Sequence, residues 1–160
     1  MQAYPDPLVG ASAFYIEPIH FDPPMIGQKL EAEWQAEKTP DQRESWRVDK
    51  ADTATRYSEG LASEATHLRF LPQPAPGVFI VRPIVPFIEP GFYAYISMPT
   101  QVRMRVQVLS SDGALIDEIA IQSAIPASLF NPASGTRLRQ AGEDLGHVTG
   151  QYLSKRTGAI

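Results

Sequence analysis

Cysteine is absent from the 160 residues. No disulfide framework, thiolate nucleophile or cysteine-ligated metal site can be built from this chain. No apolar run approaches the roughly 18 residues at which a stretch reads as a transmembrane helix. A basic excess is missing too: 14 Lys and Arg face 18 Asp and Glu, for a formal net charge of −4. With no basic stripe either, nucleic acid is not expected as a partner. There is no GxGxxG, no P-loop and no GxSxG. The three histidines, His20, His67 and His147, show no HxH or HxxxH spacing. A metal site and a cofactor are therefore not expected. Residues 1–7 carry neither a basic n-region nor an apolar h-region. Either the protein is cytoplasmic, or an export segment preceded Met1.

What is present describes a globular domain. Hydrophobic residues make up 43% and charged residues 20%, which rules out wholesale disorder. A chain of 160 residues is one domain on length and can hold a core without staples. We expect a single domain over 1–160, with 1–12 as an N-terminal extension.

Proline organises the rest. There are 15, and none falls in 41–71, 100–125 or 133–160. Because proline interrupts helix interiors and central strands, regular structure is expected in those windows. Residues 13–21 are rich in β-formers and read as a first strand, with Pro18 marking an edge or bulge. Ile26, Leu30 and Trp34, four apart, suit a short helix. Thr39-Pro40 reads as an N-cap followed by an N1 proline, opening a long helix over 41–66. Trp46, Thr53, Ala54, Tyr57, Leu61 and Ala65 share one arc of that helix. Two short strands, 78–81 and 92–96, are expected around Pro83, Pro86 and Pro90.

The clearest strand signal is Val102, Met104, Val106 and Val108 alternating with Gln101, Arg103, Arg105 and Gln107. Ser111-Asp112-Gly113 supplies a hairpin turn, and 114–125 returns as the partner strand. Arg103 and Arg105 could meet Asp117 or Glu118 across this hairpin, 101–124. A second long helix is expected over 134–156, with Ser134 as N-cap. Its apolar arc runs through Leu138, Ala141, Leu145, Val148, Tyr152 and Leu153. Gly142, Gly146 and Gly150 recur every four residues, so this backbone should press close to a neighbour. The fold class is α/β (α+β): a single mixed sheet flanked by two long amphipathic helices.

Candidate chemistry is sparse. His20 lies near the end of the first strand, with Glu17 three residues before it and Asp22 two after. That trio is the one cluster that could serve a small hydrolase or a small-molecule-binding protein. Adjacent Asp117 and Glu118 point to opposite faces of a strand and cannot act as a pair. Phe87, Ile88, Phe92, Tyr93 and Tyr95 form the densest apolar stretch. They read either as core strands or as a loop that meets a partner or a membrane surface.

The segment Ile16-Glu17-Pro18-Ile19-His20-Phe21 resembles the opening strand of a group of bacterial envelope lipoproteins. That group includes the curli secretion-channel lipoprotein, the lipoprotein activators of penicillin-binding proteins and uncharacterised relatives. Ser134–Gly146, closing on Tyr152–Arg156, is similar to the final helix of the uncharacterised members. The resemblance implies a non-enzymatic periplasmic domain, tethered to the outer membrane by a lipid on a cysteine upstream of this chain. It implies action through contacts with an envelope protein or a second copy, and it carries no catalytic residue. Partner contacts are expected at Phe87, Ile88, Phe92, Tyr93, Tyr95, Arg103 and Arg105. Membrane attachment is expected only through the lipid anchor, which this chain lacks.

Overall fold

The computed structural model describes residues 5–158. Seven strands form one mixed sheet. Strand β1 (Ala13–Ile16) pairs in parallel with β4 (Arg69–Leu71) on one side and with the start of β5 (Phe79–Glu89) on the other. The short β2 (Met25–Ile26) pairs in parallel with the far half of β5 and antiparallel with β3 (Lys29–Leu30). On its other edge β5 runs antiparallel to β6 (Thr100–Leu109), which pairs with β7 (Leu115–Ile125). The expected mixed sheet is thus present.

Helix α1 (Glu31–Ala36) is short, and α2 (Pro40–Glu64) and α3 (Ser134–Thr157) are long. Thr39 caps α2 as expected. Its side chain accepts from the Gln42 amide at 3.2 Å, and Gln42 Oε1 accepts from the Thr39 amide at 3.0 Å, with Pro40 opening the helix. Helix α3 packs on β6 and β7, and α2 lies along α3. The glycine stripe is where the two helices meet. A methyl group at Gly142 would stand 2.6 Å from the Thr53 carbonyl oxygen, and one at Gly146 would overlap the Tyr57 carbonyl. Removing the Cβ atoms lets the backbones touch, which outweighs the weak helix propensity of glycine. Tyr57 Oη then donates to Thr149 Oγ1 at 3.1 Å inside the helix pair.

One continuous core joins these layers. Phe14, Val81, Val85, Val102, Met104 and Val106 from the sheet meet Tyr57, Leu61, Leu138 and Leu145 from the helices. Each such large apolar side chain contributes about 1.5–3 kcal/mol on burial. Within the extension at 1–12, Leu8 is fully buried and the Gly10 amide donates to the Thr157 carbonyl at 3.0 Å. This segment therefore packs against the end of α3.

Several local expectations are corrected. The first strand ends at Ile16, and beyond it the chain follows β5 only through the Glu17 amide, which donates to the Val81 carbonyl at 2.9 Å, and a bridge from His20 to Ile84. Ile26 and Leu30 lie in the β2–β3 hairpin, not in a helix, because Gly27 turns the chain at φ +57°. Strand β5 runs unbroken through Pro83 and Pro86. Its partner on one side is interrupted between Ile16 and Met25, and a register shift between Ile84 and Phe87 absorbs the second proline. Residues 92–96 form a loop in place of the expected strand. Ser134 is the first residue of α3, and the cap position falls to Ala133, which offers no side-chain acceptor. Val148 is exposed, outside the buried arc.

Candidate functional site

The helices occupy one face of the β5–β6–β7 sheet, and the alternation along β6 shows what that leaves. Val102, Met104, Val106 and Val108 point into the core, while Arg103 and Arg105 stand exposed on the opposite face. Directly across from them on β7 are Gln122 and Ala120. The expected pairing of these arginines with Asp117 or Glu118 is therefore wrong by register. Gln107 Nε2 donates to Glu118 Oε2 at 2.7 Å, and Asp117 turns to the helix side, where it accepts from Tyr152 Oη and lies 3.3 Å from Arg156. The opposite pointing of Asp117 and Glu118 is as the strand period requires.

Arg103 instead lies over the Phe87 ring, 4.5 Å from its centroid, in a cation–π contact. Phe87 is half-buried beneath it. Arg103, Arg105, Pro86, Ala120 and Gln122 line an open depression of about 410 Å³. The β5–β6 register shift between Ile84 and Phe87 lies at its edge, and exposed Pro86 is part of its lining. Two guanidinium groups with no carboxylate partner among the described residues thus flank an apolar floor. Such a surface suits a partner that brings both acidic or carbonyl acceptors and apolar side chains.

Of the other expected contact residues, Ile88 is removed. It is fully buried in the core, because it faces the helices from β5. Phe92, Tyr93 and Tyr95 are exposed on the loop between β5 and β6. Beside them, sequence reasoning missed Arg137. It is fully buried, and its guanidinium donates to Thr100 Oγ1 at 2.9 Å and to the carbonyl oxygens of Asn131 (3.0 Å), Pro132 and Pro90 (3.4 Å). Burial draws its pKa below the ordinary guanidinium value. A charged residue on the first turn of an apparently ordinary amphipathic helix gives no periodic signal. Only the cluster of carbonyls at two proline-bearing loops marks the position.

The His20 trio is only partly assembled. Glu17 accepts from Arg82 Nε at 2.7 Å and Arg82 Nη2 at 3.0 Å, and its Oε2 lies 2.8 Å from His20 Nε2. The hydrogen bond from Arg82 holds the Glu17 carboxyl below the usual carboxylate range despite partial burial. A carboxylate so occupied is a poor general base. Asp22 and His20 line a shallow depression of about 360 Å³ with Phe21 and Ile84. Among the described residues Asp22 makes no side-chain hydrogen bond with His20 or Glu17, and no group of three or more His, Cys, Asp or Glu could hold a metal ion.

No protein-family model matches the chain, and no curated protein matches it in sequence. The fold, however, is shared. The chain is similar to the crystal structure of protein XCC0632 from Xanthomonas campestris, of the family DUF330, with a TM-score of 0.54 and 13% identity. That match covers 97% of this chain and 90% of the other. A second crystal structure, of an uncharacterised protein, gives a TM-score of 0.50 at 12% identity, covering 94% and 97%. A minor lipoprotein from Acinetobacter baumannii gives 0.49 at 12%, covering 91% and 94%. At these identities the likeness extends to the fold alone.

Proposed function

We propose that this chain is a non-catalytic domain of a bacterial envelope lipoprotein that works through protein contacts. The observation that carries the reading is the uncovered face of β5–β6–β7. There Arg103 and Arg105 flank an apolar depression and pair with no carboxylate among the described residues. Arginine beside apolar surface is typical of contact hot spots. The segments at 16–21 and 134–146 that resemble envelope lipoproteins support the compartment. The partner is an envelope protein or a second copy of this chain, in the assembly or secretion machinery that the resemblance implies.

The hydrolase alternative has His20 and Asp22 on one depression, but it loses Glu17 to Arg82. Glu17, Arg82 and His20 are read here as an ion-pair network that fixes the chain leaving β1 against β5.

Site-specific photocrosslinking at Gln122 in the native cell tests the proposal, together with fractionation. Adducts in the envelope fraction that vanish on Arg103→Glu with Arg105→Glu are expected. A protein confined to the cytoplasmic fraction, or adducts indifferent to those substitutions, would overturn it. Sedimentation velocity of the purified chain separates self-association from a foreign partner.

A further inference from the structure

Two loops at one end of the sheet, β5–β6 and β7–α3, carry no charged residue. No Asp, Glu, Lys or Arg lies between Glu89 and Arg103, and none between Glu118 and Arg137, in a chain that is 20% charged. Both stretches reach the same end of the sheet, because β5 ends where β6 begins and Thr100 pairs with Ile125. Arg137 ties them together there, bonding the carbonyls of Pro90 on one loop and of Asn131 and Pro132 on the other.

The largest side chains of this pole point away from the protein. Tyr95 is 105% exposed, Phe130 95%, Ile96 77% and Leu129 70%. Isolated exposed apolar residues are ordinary, but four on two joined, charge-free loops are not. Each loop is closed at its base. The Phe92 amide donates to Met98 O at 3.0 Å and Met98 back to Phe92 O at 2.9 Å. The Ala94 carbonyl accepts from Ser97 Oγ, and Asn131 donates to the Ser128 carbonyl at 3.1 Å. These bonds close the base of each loop, and the tip residues are left to the interfacial layer, where water and lipid headgroups can meet their backbone.

From this we infer that the paired loops 90–99 and 126–133 form a membrane-contacting tip, which seats Tyr95, Ile96, Leu129 and Phe130 in the interfacial layer of a lipid bilayer. Aromatic side chains with one polar end suit that layer. A fluid surface is favoured over a protein socket because the side chains stand fully clear and the loops offer no charge to set a register. The tip lies at the opposite end of α3 from Gly10 and Thr157. It goes beyond the protein-contact reading and uses none of Arg103, Arg105 or Gln122.

Flotation of the purified 160-residue chain with phosphatidylcholine vesicles tests the inference. The wild type should float, and to a similar degree at low and high salt, since no charge drives the contact. Tyr95→Ser with Ile96→Ser, or Leu129→Ser with Phe130→Ser, should reduce vesicle binding about tenfold or more while leaving the melting temperature unchanged. Tyr95→Trp should show fluorescence shifted to shorter wavelength when vesicles are added. Arg103→Glu with Arg105→Glu should leave flotation intact, so the two surfaces fail or survive separately. A wild type that does not float overturns the inference, as does flotation indifferent to the loop substitutions. Concentration-dependent self-association that the loop substitutions abolish, without vesicle binding, assigns the tip to a second copy and equally overturns it.

Discussion

Arg137 Nε donates to Thr100 Oγ1 at 2.9 Å, and Thr100 in turn donates to the Pro90 carbonyl at 2.6 Å. A helix residue thereby holds the strand at which the β5–β6 loop closes, its Nη2 reaches the Pro90 carbonyl of that loop, and its Nη1 holds the β7–α3 loop. The guanidinium is fully buried with no carboxylate among the described residues against it, so its charge is met by carbonyl and hydroxyl dipoles. Removing it would strand several acceptors at once, each costing about 1–3 kcal/mol when buried and unsatisfied. Arg137→Met should lower stability by about 3–5 kcal/mol in urea denaturation. Arg137→Lys should recover only part of this, because a single ammonium cannot reproduce the planar fork. Equal stability of all three proteins would show that the loops hold themselves.

The glycine stripe makes a prediction of opposite sign to helix propensity. In an exposed helix interior, Gly→Ala should stabilise by about 1 kcal/mol. At Gly146 the added methyl would collide with the Tyr57 carbonyl, and at Gly142 it would meet Thr53 O at 2.6 Å. Backbone cannot rotate aside, so the helices would have to separate. Gly146→Ala and Gly142→Ala should each destabilise by about 2–3 kcal/mol, in the range of overpacked cores. Denaturation of the two variants beside wild type checks the sign, and a rise in stability would refute the close approach of α2 and α3.

The bond between Glu17 and Arg82 should be visible as a pH effect. Arg82 lowers the folded-state pKa of Glu17. A depressed carboxyl stabilises the fold above its unfolded value, about 4.3, and that stability is lost as pH falls through the folded value. Arg82 is over a third exposed, so solvent screening keeps the contribution to about 1 kcal/mol. Wild type should therefore exceed Glu17→Gln by that amount near neutrality, and the two should converge in strong acid. A gap that persists unchanged at low pH would mean that Glu17 contributes by shape and not by charge.

How far these features could be read in advance depended on whether the signal was local. Thr39-Pro40 and Ser111-Asp112-Gly113 act within one turn, so α2 and the β6–β7 hairpin were legible with their boundaries nearly right. The glycine spacing also pointed correctly to a close neighbour. Strand β5 was not legible, because Pro83 is tolerated only where the sheet beside it is interrupted, a fact about β1 and β2 and not about β5. The pairing of Arg103 and Arg105 failed for the same kind of reason. The turn residues suggest a hairpin but leave its register open, and the register that forms puts Arg105 opposite Ala120 and Arg103 opposite Gln122. Of the candidate contacts, exposure separated Tyr95 from Ile88 although both sit in one apolar run. Arg137 left no trace at all, since a buried arginine is defined by the carbonyls that surround it.

The last prediction separates contact from architecture on that same stretch. Ile88 and Arg105 are both on the β5–β6 pair, yet Ile88 is in the core and Arg105 stands on the uncovered face. Ile88→Ala removes buried methylenes and leaves a cavity, so it should cost about 2–5 kcal/mol. Arg105→Glu and Arg103→Glu disturb no core packing; the second gives up one exposed cation–π contact, worth about 0.5–1 kcal/mol. Their stability should therefore stay within about 1 kcal/mol of wild type. Thermal melts and crosslinking from Gln122, measured on the same preparations, decide the matter. Unchanged melts with lost adducts for the arginine variants would mark the uncovered face as a surface for binding and not for folding. A large loss of stability from either arginine variant would instead make that face part of the scaffold, and the protein-contact reading would then need another surface.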